Sequence, residues 1–590
     1  MFLFALLFLI FGSPFLVAAA ELTFTRDVAP ILFNNCSGCH RPGESGPFPL
    51  LNYQDAAKHA KQMAEVTSKK IMPPWLPDPA YGHYVGERLL MPEQIKVFAD
   101  WAKAGAPEGN PADLPKVPAW PDGWAFGKPD LVVETPVFNV PADGRDVYRN
   151  FVVPIPTMRT QYVAAIDFHP GNPKVAHHAF IMFDRSKASR DLDAKDAEPG
   201  FPGMDIPSSA ETPDGHFLSW QPAKRFLRNP DDMSWRLYPE SDLVLQMHLQ
   251  PSGKPETIQS AVAFYFTDKA PTQFPLKIVL TSYNIDIPAG EKNYVVTNTF
   301  KLPVDLDVLS ILPHAHYLGK DLQGYVVQPD GKTNWLIRIP DWNFNWQGDY
   351  RLKTPVFAPK GSTLVMSFSY DNSAENPRNP HDPPVRVQYG AQTRDEMAEL
   401  WIQTLPRNST DYTILHRAIE QRILELGVDF AEYRLRVNPN DAKARVKYAQ
   451  VMMARRDLQQ AFNHLVAAAQ ADPTYDEPHY FLGILSRLQN QPGEAIKHFE
   501  EAVRLNDANA KAHGNLGLLY LQQKKIGPAE KHFTRALELN PNDAISHDGL
   551  GIICFEQRKY GEAEAHFRVA VSLEPNDRTY QSHLEAAKRH

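Results

Sequence analysis

Histidines occur in three short stretches in the middle of the chain, at spacings suited to binding a metal ion. Residues 311–320 read Ile-Leu-Pro-His-Ala-His-Tyr-Leu-Gly-Lys, which places His314 and His316 two positions apart in an apolar run. Residues i and i+2 of a β-strand point to the same face, so the two imidazoles would lie side by side. Imidazole is the commonest protein ligand of metal ions, and two of them form half of a metal site.

The other two stretches contain His177 next to His178, and His248 two residues after Gln246. Adjacent side chains of a regular strand point to opposite faces. A bulge or a strand end is therefore needed to turn both His177 and His178 toward one ion. Gln246 and His248 alternate along the run 243–248 and would share a face.

Met397 adds a different kind of ligand, because its thioether sulfur is soft. It directly follows Asp395 and Glu396. Thioether sulfur suits Cu(I), and imidazole suits both oxidation states of copper. The combined set of histidines and methionine therefore favours copper over other metals.

A second kind of chemistry is indicated near the N-terminus, where Cys36-Ser-Gly-Cys39-His40 has the Cys-x-x-Cys-His spacing of a c-type haem attachment site. Two thiols of this motif add to the haem vinyl groups, and the histidine becomes the proximal iron ligand. A thioredoxin-like pair would need a βαβ context, and zinc would need a second ligand pair nearby; the sequence offers neither. The expected cofactor is one covalently bound haem.

Met72 is the preferred distal haem ligand. It lies in the run Lys-Ile-Met-Pro-Pro-Trp, where the prolines would make the loop rigid and Trp75 could wall the haem. Met63, Met91 and His83 are the alternatives. Helical patterns are expected over residues 53–69 and 92–105. Residues 21–110 together resemble class I cytochrome c domains.

At 590 residues the chain is too long for a single core. A hydrophobic content of 43% is ordinary for a globular protein, and the net charge of −8 argues against a general nucleic-acid binder. Residues 1–20 read as an export signal, with an apolar run followed by Ala18-Ala19-Ala20. No Lys or Arg precedes Arg26, so an uncleaved anchor is the alternative. No later stretch is long and apolar enough to span a membrane.

Residues 111–128 are rich in Pro, Gly and Asp and are expected to form a linker. From there to residue 406, short β-branched and aromatic runs alternate with turn residues, which is typical of antiparallel sandwiches or jelly rolls. The length suits two such domains, predicted at 129–288 and 289–406. The predicted fold class is thus multidomain: a small α-helical cytochrome c domain, two β jelly-roll or sandwich domains and a C-terminal α-solenoid.

The C-terminal part carries an internal repeat of 34 residues. Gly483, Gly517 and Gly551 recur at this spacing, as do Phe499, Phe533 and Phe567. A period of 34 with small residues and aromatics at fixed places is the signature of tetratricopeptide repeats. Repeats with a capping helix are expected over 442–590, after a helical connector at 411–441. Such a solenoid usually binds a protein or peptide, although it could also dock on its own chain.

Taken in order, the ligand candidates resemble a known family. His-His, Leu-Gln-x-His, His-x-His-x-x-Gly-Lys and Asp-Glu-Met are similar to the motifs of the copper type II, ascorbate-dependent monooxygenases, which include peptidylglycine α-hydroxylating and dopamine β-monooxygenases. The resemblance covers residues 130–405. It implies one electron-transfer copper and one oxygen-binding copper, held in turn by His177, His178 and His248, and by His314, His316 and Met397.

Several positions depart from the family pattern. The central region has no cysteine, although extracellular members of the family are rich in disulfides. Leu312 stands where an arginine holds the substrate carboxylate of the peptide-processing enzyme. Glu399 and Trp401 replace an Asn and a Tyr that follow the ligand methionine. These departures argue against a peptide C-terminus as the substrate.

The resulting expectation is a periplasmic or secreted bacterial-type monooxygenase with two copper ions. It would hydroxylate an organic C–H bond with O₂ and take electrons from its own haem, and its His314, His316 and Met397 would be catalytic. Expected partners are a small organic substrate, O₂ and a protein or peptide on the repeats; no nucleic acid and, after signal cleavage, no membrane span are expected. The alternatives are a haem and copper electron-transfer or copper-handling protein, and an interaction protein without oxygenase activity.

Overall fold

The computed structural model describes residues 21–590, apart from Gly43, Ser45, residues 120–122, Asp205, Ser208, Asp214, Ala223, Arg225 and residues 575–576. The expected export signal, residues 1–20, lies outside the described residues. The chain divides into two compact units, Met1–His416 and Arg417–His590. Among the described helices, none combines the length and the apolar character needed to cross a bilayer.

The first unit begins with a small helical segment built around Phe24, Leu32, Phe98 and Trp101, which share one hydrophobic core. Trp101 also donates its indole N–H to the carbonyl of Pro107 at 2.9 Å, which anchors the end of the segment. After a helical turn at Phe24–Val28, the helices are α1 (Ala29–Asn35), α2 (Tyr53–Lys58), α3 (Ala60–Ser68) and α4 (Pro92–Lys103).

The helix expected over 53–69 is divided in two at His59. This residue leaves the helical conformation at φ −106° and ψ 10°, and it ends α2 and begins α3. Its ring stacks on Phe48 with a centroid distance of 3.7 Å. Periodicity alone did not indicate this break, because the apolar positions keep helical spacing on both sides of it.

Two antiparallel sheets follow and share one core. Val163 and Phe264 on one sheet pack with Ile181 and Leu245 on the other. The strands are β1 (Leu131–Glu134), β2 (Phe138–Val140), β3 (Val147–Pro154), β4 (Gln161–His169), β5 (Ala176–Asp184), β6 (Phe201–Pro202), β7 (Ala210–Glu211), β8 (Ser219–Trp220), β9 (Trp235–Leu237), β10 (Asp242–Leu249), β11 (Glu256–Ile258) and β12 (Ala261–Thr267), with helix α5 (Ala188–Asp193) after β5. The strand orders are β1-β12-β4-β9 and β6-β3-β10-β5-β7, with β8 on β5 and a separate β2-β11 pair.

A second pair of facing sheets completes the strand-rich region. A Cβ placed on Gly324 would lie 2.8 Å from Leu400 of the opposite sheet, so glycine is needed where the layers come closest. The strands are β13 (Leu276–Thr281), β14 (Asp286–Ile287), β15 (Tyr294–Lys301), β16 (Leu306–His314), β17 (Gly319–Val327), β18 (Thr333–Ile339), β19 (Tyr350–Ala358), β20 (Thr363–Tyr370), β21 (Val387–Gln388) and β22 (Glu399–Pro406). They are ordered β13-β22-β16-β19, β15-β20-β17-β18 and β14-β21.

The boundary between the two pairs of sheets differs from the predicted position at 288. Strand β13 pairs with β22 and β14 pairs with β21, so both belong to the second pair of sheets. The change of sheet therefore falls between Thr267 and Leu276. Strand patterns in a sequence indicate which residues are extended, but not which strand they pair with, because pairing depends on distant residues.

The remaining helices are α6 (Ser409–Val437), α7 (Ala442–Ala454), α8 (Leu458–Ala471), α9 (Glu477–Leu488), α10 (Pro492–Leu505), α11 (Ala510–Gln522), α12 (Ile526–Leu539), α13 (Ala544–Glu556), α14 (Tyr560–Leu573) and α15 (Arg578–Ala587). The repeat glycines face the repeat phenylalanines, and a Cβ on Gly517 would lie 2.5 Å from Phe533. The first helix of each pair ends in a left-handed residue, which closes the last turn: Arg456, Asn490, Lys524 and Arg558. The predicted helical repeat is confirmed.

Candidate metal centres

The three-histidine centre, formed by His177, His178 and His248, lies where β5 pairs with β10. His248 is opposite His178, but the next pair joins Leu249 to Ala176, so His177 is the extra residue of a β-bulge. A bulge bends the strand and redirects its side chains. Both adjacent histidines can therefore turn toward His248, as the sequence analysis required.

The ring nitrogens of the three-histidine centre converge on one point. The Nδ1 atoms of His177 and His178 are 3.0 Å apart, and those of His178 and His248 are 3.3 Å apart. Ligand atoms of all three residues lie within 4.8 Å of one another. Two nitrogens bound at about 2.0 Å to a tetrahedral metal are roughly 3.3 Å apart. This donor set and its spacing fit one transition-metal ion.

Burial keeps two of these imidazoles neutral. It lowers the pKa of His177 to about 3, and it lowers the pKa of His178 well below its ordinary value; the neighbouring histidines add to both effects. A neutral imidazole has a bare ring nitrogen, and metal binding requires that form. The centre is thus prepared for an ion at neutral pH.

Asp146 orients the ring of His248 through the nitrogen that does not face the other two histidines. Its Oδ2 atom lies 2.8 Å from Nε2 of His248, which leaves Nδ1 of the same ring for the metal. Burial opposes ionisation of Asp146, but hydrogen bonds from His248, Gln250 and Thr393 outweigh it and hold the pKa of Asp146 below its ordinary value. A carboxylate on the second nitrogen of a ligand histidine fixes the tautomer and strengthens the ligand.

The two-histidine centre, formed by His314 and His316, lies at the end of β16. The two rings are perpendicular, with centroids 5.2 Å apart. Nδ1 of His314 contacts Oε1 of Gln347 at 2.5 Å, and Nδ1 of His316 contacts the carbonyl of Asp395 at 3.1 Å. With both Nδ1 atoms held by oxygen acceptors, the Nε2 atoms remain available to bind a metal ion.

His316 lies beyond the strand that was expected to contain it. Strand β16 ends at His314, so the same-face argument does not by itself align the two rings. Instead, Glu396 accepts the backbone N–H of His316 at 2.7 Å, and Trp342 donates its indole N–H to the carbonyl of His316 at 3.0 Å. Tertiary contacts, rather than strand alternation, set the position of this histidine.

Glu396 also positions the backbone of Met397 next to His316. Its carboxylate is fully buried, and it accepts the N–H of Met397 as well as those of His316 and Leu318. Tyr370 donates its hydroxyl to the carbonyl of Met397 at 2.7 Å. Burial raises the pKa of Glu396 to about 8, against the opposing effect of its N–H partners. The backbone of Met397 is therefore held directly beside that of His316.

One short segment contacts both centres. This 344–347 turn consists of a helical turn at Phe344–Trp346 followed by Gln347. The ring of Phe344 stacks on His177 at 4.8 Å and meets His316 edge-on at 5.4 Å. Gln347 meanwhile contacts His314. From the sequence, the stretch Asn345-Trp346-Gln347 is expected either to anchor a loop or to line the cleft, whereas no local pattern identifies Phe344.

The haem-motif residues line one apolar pocket. Cys36, Cys39, His40 and Met72 all border a cavity of about 190 Å³, together with Leu32, Phe48, Leu50, Met63, Val66 and Phe98. Nδ1 of His40 lies 2.9 Å from the carbonyl of Phe48. That bond leaves Nε2 of His40 for an axial metal bond, so the thiols, the histidine and the apolar walls fit a covalently attached haem.

The lining of this pocket distinguishes the candidate distal haem ligands. Met63 and Met72 line it, whereas His83 and Met91 do not.

Trp75 does not line the pocket of the haem motif: its ring packs on Tyr350 at 5.5 Å, edge to face. The expectation that Trp75 walls the haem is therefore wrong. The tryptophan on this wall is Trp346, which belongs to the 344–347 turn.

A second, larger cavity of about 440 Å³ also has Trp346 among its lining residues. Gln347, Trp75 and Tyr350 border it, as do the charged side chains of Lys224 and Asp349. Lys224 and Asp349 pair at 2.8 Å. Cys39 borders both cavities. The larger space is thus bordered by Gln347, which contacts His314, and has both aromatic and charged walls.

Comparisons with known proteins concern the repeats. The tetratricopeptide repeat family model matches residues 510–543. No curated protein matches the chain in sequence.

Solved structures similar to part of the chain include MamA, with 20% identity over 28% of this chain and 95% of that chain and a TM-score of 0.23. The Arabidopsis OM64 TPR domain is 27% identical over 20% of this chain and 95% of that chain, with a TM-score of 0.19. YrrB, described as a TPR protein with an unusual peptide-binding site, is 19% identical over 31% of this chain and 90% of that chain, with a TM-score of 0.24.

Proposed function

We propose that this protein is an exported dicopper monooxygenase that hydroxylates an organic C–H bond with O₂ and receives electrons from its own c-type haem. The observation that carries the proposal is the convergence of two histidine centres, one from each pair of sheets, on the 344–347 turn. Histidine is the commonest protein ligand of metal ions, so two clusters of neutral imidazoles favour metal binding.

In this proposal each centre holds one copper ion. His177, His178 and His248 form an all-nitrogen site, which suits electron transfer. His314, His316 and Met397 combine two imidazoles with a thioether, which suits a copper that cycles through Cu(I). Bound copper would supply one-electron transfer at the first site and oxygen activation at the second. The chain itself orients the rings through Asp146, Gln347 and Asp395.

Cys36 and Cys39 would attach the haem, His40 would be its proximal ligand and Met72 its distal ligand, with Met63 as the alternative on the same pocket. The haem would supply single electrons. Support for this role comes from Trp346, which borders the haem pocket and is adjacent in sequence to Gln347. Gln347 contacts His314, so one residue, Gln347, links the pocket wall to a proposed copper ligand.

The larger cavity is the proposed substrate site. Its aromatic walls, including Trp75, would bury an apolar body, and the Lys224–Asp349 pair would orient a polar group. Its position beside Gln347 favours substrates oxidised near the His314 ring. The departures at Leu312, Glu399 and Trp401 argue for a substrate other than a peptide C-terminus.

The first test measures metal and haem on protein matured in a host that attaches c-type haem. We expect one haem and two tightly bound copper ions per chain, and oxygen uptake that depends on an organic substrate. Met397→Ile should change the copper at the two-histidine centre and leave the other unchanged, while His248→Ala should do the reverse. Met366→Ile, a buried core methionine of the second pair of sheets, is the matched control. Unchanged copper content and spectra in both ligand variants would refute the proposal.

The second candidate is a protein that transfers electrons or binds a partner without oxygenating anything. The matched tetratricopeptide repeat favours a protein partner, because such repeats usually bind proteins or peptides. A protein that holds two copper ions and a haem, oxidises its haem rapidly, and consumes no oxygen with any C–H substrate would support this candidate instead.

A further inference from the structure

The C-terminal repeats contain a second regular pattern of histidines. None of these histidines belongs to the two centres described above. In three successive helix pairs, a histidine on the first helix faces a histidine on the second. Their Nδ1 atoms are separated by 3.5, 2.9 and 3.1 Å in the pairs His479–His498, His513–His532 and His547–His566. Each member recurs after 34 residues, so every repeat places its pair in the same position.

The outer nitrogens of two of these rings are already occupied. Nε2 of His513 lies 3.2 Å from the carbonyl of Asp507, and Nε2 of His547 lies 3.0 Å from the carbonyl of Pro541. Because a carbonyl only accepts, each Nε2 must carry the proton, and each Nδ1 is a bare acceptor in the neutral ring. Metal-binding histidines typically hold their second nitrogen in this way.

Burial favours the neutral form of several of these rings, and each pair contains at least one partly exposed ring. Burial lowers the pKa of His513, His532 and His566 below the ordinary value. His513 is buried, with 4% of its surface exposed, whereas its partner His532 and the members of the other two pairs are partly exposed. An ion could therefore reach each pair through a partly exposed ring, and water would complete its coordination. In two of the pairs a carboxylate lies one helical turn before the second histidine: Glu494 before His498, and Glu562 before His566.

The preceding repeat provides a natural contrast. One period earlier, the first-helix position is Arg445 and the second-helix position is His464. This lone histidine stacks on Tyr448 at a centroid distance of 4.1 Å. The general repeat architecture therefore does not require a histidine pair, because the same helix packing forms around an arginine and a tyrosine.

We propose that the three pairs are transition-metal sites, each binding one late first-row ion such as Cu(II) or Zn(II) through two imidazoles that link the two helices of a repeat. Imidazole suits these metals, and nitrogens 2.9–3.5 Å apart match two adjacent ligands of one ion. The proposal is independent of the copper centres in the first unit. The alternative is a plain hydrogen bond between the two rings, which would need no ion.

The test is equilibrium dialysis of the full chain against Zn(II) after metal removal. Substituting His479, His513 and His547 together by Gln should lower the bound zinc by three ions per chain. The partner set, His498, His532 and His566 to Gln, should have the same effect. His464→Gln, the matched control, should bind as much zinc as the unchanged protein.

Single substitutions make the result independent of whether a triple variant folds. His513→Gln and His547→Gln should each remove one zinc ion per chain, and far-ultraviolet circular dichroism should show unchanged helix content. Zinc should also raise the Tm of the repeats in the unchanged protein, because it bridges two helices, and this rise should shrink with each substitution. Equal zinc binding by the unchanged protein and the single variants would overturn the proposal and leave the inter-ring hydrogen bond.

Discussion

At the scale of single residues, the two centres differ in which ring nitrogen is left available for a metal ion. His177, His178 and His248 turn Nδ1 atoms toward each other, whereas His314 and His316 use Nδ1 for oxygen acceptors. The choice follows from the second contact of each ring. Partners that a sequence search for ligands would pass over therefore decide which atom binds.

Gln347 gives the sharpest residue-scale prediction. Gln347→Leu removes the acceptor of the His314 Nδ1–H, so the ring should lose its fixed orientation. Loss of such a partner typically lowers metal affinity by about 10- to 100-fold. We expect a Cu(I) competition titration to show weaker binding at the two-histidine centre and unchanged binding at the three-histidine centre.

Gln323→Leu is the matched control, because the Gln323 amide donates to Asp321 on β17, away from the ligand set. If Gln347→Leu bound copper as tightly as this control, Gln347 would have no positioning role.

At the scale of elements, glycine decides how closely paired helices pack in the repeats. A Cβ on Gly517 would lie 2.5 Å from Phe533, whereas a Cβ on Gly527 would meet nothing within 4 Å. Gly517→Ala should therefore destabilise the repeats by about 1–3 kcal/mol through overpacking. Gly527→Ala should be neutral or stabilising by up to about 1 kcal/mol, since alanine favours helix. Denaturant titration followed by circular dichroism would measure both, and equal effects of the two changes would contradict the packing argument.

The stability of the last helix, α15, should depend on pH. Nδ1 of His583 on α15 lies 2.7 Å from Asp548 on α13. The hydrogen bond to this carboxylate raises the pKa of His583 above its ordinary value. A raised histidine pKa means that the folded form binds the proton more tightly, so the stabilisation is present at low pH and is lost as pH rises through the raised pKa.

Amide hydrogen exchange in α15, corrected for intrinsic rates, should accordingly show less protection at about pH 8.5 than at about pH 5.5. His583→Gln should remove the difference. A pH effect that persists in this variant would assign it to another group.

At the scale of the first unit, the 344–347 turn contacts both histidine centres and borders the pocket of the Cys-x-x-Cys-His motif. Phe344 contacts His177 and His316, Trp346 borders the haem pocket, and Gln347 contacts His314. The turn comes from the second pair of sheets, yet it reaches the bulge of β5 in the first. Relative motion of the two pairs of sheets would disturb the Phe344–His177 contact, which crosses between them.

Trp346→Leu tests this junction in the whole protein. In haem- and copper-loaded protein, rapid mixing with O₂ should show slower oxidation of the reduced haem, because the aromatic wall between the pocket and His314 is removed. Trp335→Leu is the matched control; Trp335 packs on Tyr81 and Tyr325 and does not border either cavity. Equal haem oxidation rates in the two variants would exclude a role for Trp346.

Much of the molecule follows from local sequence patterns. The 34-residue period determines the helical repeat, because Gly483, Gly517 and Gly551 each contact a phenylalanine of the same helix pair. The adjacent pair His177-His178 required a bulge, and β5 has one. Cys36, Cys39 and His40 come together because they are neighbours in sequence. Each of these features depends on residues that lie close along the chain.

Only the tertiary structure decided the remainder. The placement of β13 and β14, the position of His316 beyond β16, and the wall formed by Trp346 in place of Trp75 all depend on contacts between residues far apart in sequence. The same holds for Asp146, Glu396 and Gln347, whose partners lie tens of residues away. Ligand types can be read from a sequence, but the groups that aim them are brought together only by folding.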